Sequence, residues 1–242
     1  MKILCVSDQI DPLVYSTKAK ERFSDIDAIL CAGDLPSEYI DFIVSTLNKP
    51  TYFIFGNHNL SEFGLYHKIK HRGGAHPTLN GMSSYDLSGS HGADYIGFKS
   101  ARDKRLMIKT KGGKMRPLLI AGASGSMRYN GALNQYTDFQ MMMKLISLIP
   151  AMLTNKILYG KALDIFLTHA SPRHVHDRED PCHKGFECFN WFIRTFAPTF
   201  LVHGHIHLYD MNEQRVTKIE TKNGTTTVVN AYSYTLIELT GD

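Results

Sequence analysis

Short runs of aliphatic and aromatic residues recur along this chain, and most stop abruptly on a polar residue. Residues 3–6 stop at Ser7-Asp8, residues 28–32 at Gly33-Asp34, and residues 52–55 at Gly56-Asn57-His58. The runs are too short for helices and lack the alternation of a strand with one wet face. They therefore predict parallel strands buried on both sides, each delivering polar groups at its carboxyl end. Between the second and third runs, residues 38–47 carry Tyr39, Phe42, Ile43 and Leu47 at helical spacing, with Ser37 available as N-cap. Strand, helix, strand in that order predicts a right-handed crossover.

The pattern continues downstream. Residues 95–99, 106–109 and 118–121 are predicted strands, the last running into Gly122-Ala123-Ser124-Gly125-Ser126. Residues 136–149 are predicted as one helix, with Met141, Met142 and Met143 filling the core. Residues 163–167 form a strand ending at Thr168-His169, and residues 199–202 one ending at His203-Gly204-His205-Ile206-His207. A helix is predicted over 185–196, and strands over 225–230 and 234–239 after the turn Asn223-Gly224. Residues 73–92, rich in Gly, Ser and His, read as a loop. There is no repeat, low-complexity segment or linker, and the polar signatures are scattered from end to end, so residues 1–242 are expected to form one domain.

Composition narrows the classes. A chain of 242 residues with 43% hydrophobic and 21% charged residues is ordinary for a globular protein with a sizeable core. A net charge of +4 suits an anionic substrate but is too mild to require nucleic acid or a membrane. Cys5 and Cys31 lie inside apolar runs, Cys182 and Cys188 flank a predicted helix start, and no Cys-x-x-Cys pair exists, so no disulfide framework is expected. Asp8 follows the start too soon for a signal peptide, and no apolar run approaches the roughly 20 residues that span a bilayer. A cytoplasmic protein without membrane attachment is the expectation; nothing bears on oligomeric state.

Five signatures carry the chemistry: Ser7-Asp8, Gly33-Asp34, Gly56-Asn57-His58, Thr168-His169-Ala170 and Gly204-His205-Ile206-His207. Carboxylate and amide oxygens with imidazole nitrogens are the donors that hold divalent transition metals. Alone, Gly33-Asp34 reads as a turn and His203 as a core histidine. Histidines two apart on an extended segment face one side, which makes Gly204-His205-Ile206-His207 the stronger signal. Taken in order, the five resemble the calcineurin-like metallophosphoesterases over about residues 2–209. The resemblance implies an α/β fold, a four-layer α/β/β/α sandwich of the metallo-dependent phosphatase type.

It also implies two divalent ions, which such enzymes hold about 3.5–4 Å apart to bind both the attacking and the leaving oxygen of a phosphoryl transfer. Asp34 matches the bridging carboxylate. Asp8 and His207 match ligands of the first ion, and Asn57, His169 and His205 those of the second. His58 matches the family's general acid, a role that suits an imidazole because it exchanges protons near neutral pH. Manganese is the expected metal, with iron or zinc as alternatives.

One position departs from the family. Where Asp-x-His is the pattern, this chain has Asp8-Gln9-Ile10. In extended geometry Ile10 shares the face of Asp8 and offers no donor, so the first ion should be held weakly. The expected activity is hydrolysis of a phosphoester, a phosphodiester by preference, through metal-activated water. The alternative is a catalytically weakened scaffold of the same fold that binds a protein partner, as the retromer subunit of this fold illustrates.

Seven of the twelve histidines lie between 169 and 207. His174, His176 and Arg178 read as surface residues of a polar loop. Asp177 and His183 resemble residues near the active site in a phosphodiesterase-like branch of the family, where they would touch substrate or support ligands. Arg128, in Gly125-Ser126-Met127-Arg128-Tyr129-Asn130, is a further candidate for phosphate. Residues 99–116 hold eight basic residues against Asp103 and turn at Gly112-Gly113, predicting a solvated basic hairpin. It could draw nucleotides toward the site, but without stacking aromatics a dedicated nucleic-acid surface is not favoured. The expected partner is a small phosphorylated substrate, a nucleotide among the options.

Overall fold

A computed structural model of the chain describes residues 1–67, 92–110, 112–210 and 212–241. The strands are β1 (Lys2–Ser7), β2 (Ala28–Cys31), β3 (Thr51–Phe53), β4 (Asp94–Tyr95), β5 (Ser100–Lys109), β6 (Met115–Ala123), β7 (Ser126–Met127), β8 (Gln135–Tyr136), β9 (Ile165–Thr168), β10 (Phe200–His203), β11 (Val216–Thr221), β12 (Gly224–Asn230) and β13 (Ser233–Glu238). The helices are α1 (Ala19–Arg22), α2 (Ser37–Leu47), α3 (Phe63–Tyr66), α4 (Asp138–Ile146), α5 (Ile149–Tyr159) and α6 (Glu187–Phe196).

The apolar runs are buried on both faces, and their alternating side chains define the layers. From β1, Ile3 and Cys5 join Leu30, Leu118, Ile120, Ile165 and Val202 in a core between two sheets. Leu4 and Val6, one position out of phase, pack instead with Tyr39, Ile43 and Leu47 of α2 and Phe63 of α3. On the far side Phe166 and Leu201 meet Met141, Leu145, Met152, Phe189 and Phe192 of α4, α5 and α6. The result is a four-layer α/β/β/α sandwich.

The first sheet has the order β13-β1-β2-β3-β4 and the second β11-β12-β10-β9-β6-β5. In the first, β1, β2, β3 and β4 are parallel and β13 closes the edge antiparallel to β1. In the second, β12, β10, β9 and β6 are parallel, flanked by antiparallel β11 and β5. Parallel strands put their carboxyl ends on one edge, where ligand sites of such sheets gather.

Several local expectations change. The predicted helix over 136–149 is two helices, α4 and α5, bent by 43°. Pro150, near the start of α5, has no N–H to continue the α4 ladder. Met141 is buried, but Met143 is 51% exposed, so the methionine run is only partly core. Helix α2 starts at Ser37, with Pro36 as N-cap and no side-chain cap. Residues 95–99 do not form a continuous strand: β4 ends at Tyr95, Gly97 makes only an isolated bridge to Gly122, and Phe98 sits at φ 55°. The loop expected at 73–92 lies outside the described residues except Gly92. Strand β11 was not foreseen, because its burial simply alternates at a sheet edge. All four cysteines are free. Among the described residues no single helix is long and apolar enough to cross a membrane.

The basic hairpin forms, with Thr110 and Lys114 closing its turn. Much of its charge is engaged within the molecule. Arg102 donates to Asn155 at 2.6 Å, and Arg105 pairs with Asp94 at 2.7 Å and Asp103 at 2.8 Å. Arg116 is 3% exposed and makes two bonds to buried Asp164, at 2.6 and 2.7 Å. The turn also stands at the amino end of β6, whose nine residues place it roughly 30 Å from that strand's carboxyl end. It does not rim the edge where the signatures gather.

Candidate metal centre

Five carboxyl strand ends converge on the signatures. Strands β1, β2 and β3 lead into Asp8, Asp34 and Asn57, and β9 and β10 into His169 and the 205–207 segment. Three of the six candidate ligands have left-handed backbones: Asp8 at φ 63°, Asp34 at 56° and His205 at 66°. Such conformations cost non-glycine residues about 1–3 kcal/mol each and cluster at functional sites. Here they turn each chain sharply off its strand. A Cβ on Gly56 would lie 2.1 Å from Asp34 Oδ1 and 2.5 Å from the His169 ring, so glycine is the residue that allows this approach. Asn134 fixes the same loop by donating to the Gly56 carbonyl at 2.6 Å.

Asp34, His169 and His205 place their ligand atoms within 4.8 Å of one another. His169 Nδ1 donates to the Ala32 carbonyl at 2.8 Å, which leaves Nε2 facing Asp34 Oδ2 at 3.3 Å and Asn57 Oδ1 at 3.1 Å. His205 Nε2 donates to the Cys182 carbonyl at 2.7 Å, leaving its Nδ1 for the centre. Asp34 Oδ1 accepts the His58 backbone N–H at 2.7 Å, and Asn59 Nδ2 donates to the Asp34 carbonyl at 3.0 Å. His207 Nε2 lies 3.7 Å from Asp8 Oδ1, with the His207 ring stacked on Tyr232.

Electrostatics bind these groups into one unit. Burial works to raise the Asp34 carboxyl, yet the His169 imidazole and the His58 N–H hold it down at about 2. Burial likewise works to lower His169, and the Asp34 and Asp8 carboxylates overcome it, raising the imidazole to about 9. Burial and neighbouring His169 push His205 down to about 4. Asp8 is lowered despite its burial, chiefly by the facing His207.

The donor set of Asp34, His169 and His205 fits a divalent cation. Asp8 Oδ1 is buried and has no hydrogen-bond partner among the described residues. A buried carboxylate oxygen without a close donor is costly unless positive charge meets it, from His207 at 3.7 Å or from a bound cation. Asp34 offers two oxygens, and the imidazole nitrogens left free by the carbonyl contacts point inward.

The remaining candidates are placed differently. Asp177 is nearly buried in the loop after β9, where its carboxylate accepts from Arg173 at 2.6 Å and from the Gly185 N–H at 3.0 Å. That staples the loop shut. His183 bonds to Asp180 at 2.9 Å, with its ring 5.3 Å from that of His205, at the margin of the centre. Arg128 is exposed and donates to Gln140 at 3.0 Å. Gln140 also completes the capping box of α4 with Thr137. His58 is exposed beside Asp34.

Strand β1 ends at Ser7, so the extended geometry expected over residues 8–10 does not hold. Gln9 N–H folds back to the Ser7 carbonyl at 2.6 Å, and Ile10 is 43% exposed. Asp11 accepts from Leu13 N–H at 2.8 Å and from the Ser233 hydroxyl. It anchors the turn and is not a ligand.

Two residues read as surface ones do more. His176 bonds to buried His203 at 2.9 Å and to Thr217 at 2.8 Å, and Arg178 donates to the His207 carbonyl at 2.8 Å. His174 is exposed, as expected. Tyr129 was missed beside Arg128, although the small-residue loop pointed at its neighbourhood. The Cys182 carbonyl is a backbone group that no sequence pattern reveals.

The fold and this cluster define a metallo-dependent phosphoesterase architecture, and the comparisons agree. The family profile described as calcineurin-like phosphoesterase matches residues 1–209, and the chain belongs to that family. One solved crystal structure resembles it with a TM-score of 0.60 at 14% identity, over 98% of this chain and 94% of its own. TT1561 of Thermus thermophilus does so with a TM-score of 0.53 at 16% identity, over 94% and 88%. At these identities the likeness is one of fold. No curated protein matches the chain.

Proposed function

We propose that this chain hydrolyses a phosphoester of a small phosphorylated substrate, a phosphodiester in preference to a monoester. Asp34 would stand between two divalent cations, with Asp8 and His207 on one side and Asn57, His169 and His205 on the other. Manganese, or iron or zinc, bound there supplies Lewis acidity and lowers the pKa of water toward neutrality. The observation that carries this reading is the gathering of the Asp34, His169 and His205 ligand atoms within 4.8 Å of one another, with Asp8 Oδ1 facing His207 at 3.7 Å.

The chain's own residues supply orientation and a proton. His58, exposed and tied through its backbone to Asp34, would protonate the departing oxygen. Arg178 holds the His207 carbonyl, and Ala32 and Cys182 fix the tautomers of His169 and His205. His183, with its ring 5.3 Å from that of His205, would touch the substrate or support that ligand. Ile10 contributes no donor, so the Asp8–His207 ion is held more weakly than the Asn57–His169–His205 ion.

The test is a calorimetric titration of metal-free protein with manganese, followed by assays on aryl phosphodiesters, aryl phosphomonoesters and cyclic nucleotides. Two unequal affinities with diesterase activity are expected, the tighter one lost in Asn57→Ala. Equal affinities would remove the role given to Ile10. Metal binding without hydrolysis of any substrate would replace the enzyme with a partner-binding scaffold.

A further inference from the structure

The Tyr129 hydroxyl joins two chain segments that meet at the candidate metal centre. Asn57 Nδ2 lies 3.4 Å from it, within donating reach. The Cys182 side chain neighbours it on the other side. Tyr129 is itself held by Gln135, whose Oε1 accepts its N–H and that of Asn130, both at 3.3 Å. The Cys182 carbonyl in turn receives the His205 Nε2 proton at 2.7 Å.

A primary amide has an oxygen end and a nitrogen end of nearly the same shape, separated by half a turn about a soft torsion. Only the oxygen end can serve a cation. The Tyr129 hydroxyl presents its lone pairs to the Asn57 N–H at 3.4 Å. Those lone pairs accept an N–H and cannot satisfy a carbonyl. The nitrogen end of Asn57 is thereby drawn to Tyr129, and Oδ1 is left facing His169 Nε2 at 3.1 Å, inside the cluster.

We propose that Tyr129 is a positioning residue that selects the metal-competent orientation of the Asn57 amide. This rests on the reading of Asn57 as a ligand. Loss of an outer hydrogen-bond partner of a metal ligand typically weakens affinity 10–100-fold.

A carboxylate has two equivalent oxygens, so an aspartate at position 57 has no orientation to select, and this supplies the test. Manganese binding to metal-free protein is measured by calorimetry for wild type, Tyr129→Phe, Asn57→Asp and the double variant, with circular dichroism confirming the fold of each. Tyr129→Phe should weaken the tighter site about tenfold, whereas the same change in the Asn57→Asp background should alter affinity less than twofold. An equal loss in both backgrounds would make Tyr129 a general structural prop and overturn the inference. So would no loss in the wild-type background. Asn57→Ala serves as the control: full retention of the tighter site there would overturn the ligand reading itself, and the inference with it.

Discussion

The backbone N–H of His205 donates to Asp8 Oδ2 at 2.9 Å, joining residues 197 positions apart. The bond ties the end of β1 to the end of β10, and so one sheet to the other, at the candidate centre. Gly204 permits it, since a Cβ there would lie 2.5 Å from the same oxygen and 2.6 Å from Ser7 Oγ. Gly204→Ala should therefore push Asp8 and His205 apart. The expected outcome is a folded protein whose manganese affinity falls at least tenfold, on the order expected for disturbed ligand geometry. Unchanged metal binding would mean the two sheet ends approach less closely.

His58→Ala should lose roughly 10²–10⁴-fold in rate on esters with poor leaving groups, the usual range for a missing general acid. Aryl esters, whose oxygen departs without a proton, should lose far less. Metal content should stay level, because only the His58 backbone bonds to Asp34. Equal losses on both ester types would remove the proton-donor role.

Ile10→His would supply the imidazole that the family pattern has at this position. Ile10 is 43% exposed and absent from the three hydrophobic cores, so the exchange should be tolerated in folding. The manganese concentration for half-maximal activity should fall, with little change in maximal rate. If that concentration does not move, the sharp turn after Ser7 carries position 10 away from Asp8.

Asp164→Ala would remove both carboxylate bonds of the Arg116 guanidinium, which is 3% exposed at its side chain. It would also orphan the Leu119 N–H, which donates to Asp164 at 2.9 Å. Removing one partner of a buried pair costs about 3–5 kcal/mol. Urea denaturation should show a lower midpoint with the same slope. A loss under about 1 kcal/mol, the range of an exposed pair, would contradict the buried geometry.

Stability should fall as pH drops from about 6.5 to about 4. Burial holds His67 and His176 down to about 4, with Lys144 and Lys99 adding to the effect at His67. In the unfolded chain both return to about 6.5 and bind protons that the folded state refuses. The contribution is fully present above pH 6.5 and is lost toward pH 4. Urea midpoints at pH 7.5 and 5.0 measure it. Replacing both residues with glutamine should shrink the difference between the two pH values.

The order of apolar runs and their polar stops was enough to place β1, β2, β3, β9 and β10 and to select Asp8, Asp34, Asn57, His169, His205 and His207. Those residues come together because a parallel strand buried on both faces must be a continuous apolar run, and its polar residues fall at its end. Helix ends were less legible. The break between α4 and α5 needed Pro150 to outweigh an unbroken apolar pattern, and β11 has an exposed face that no apolar run marks.

The sequence by itself determined where the buried strands end in polar residues, and the family resemblance carried by those residues implied the layer order and the candidate donors. The tertiary structure alone decided which atoms face inward. The tautomer of His169 is set by the Ala32 carbonyl, that of His205 by the Cys182 carbonyl, and the Asn57 amide has Tyr129 against its nitrogen end. It also set Asp177, read from the sequence as a residue near the substrate, as a staple of its own loop, and Arg178, read as a surface residue, as a clamp on the His207 carbonyl. These are contacts between distant segments, many through backbone groups that every residue carries. Their physical basis is chain proximity after folding, to which a linear pattern of side chains is blind.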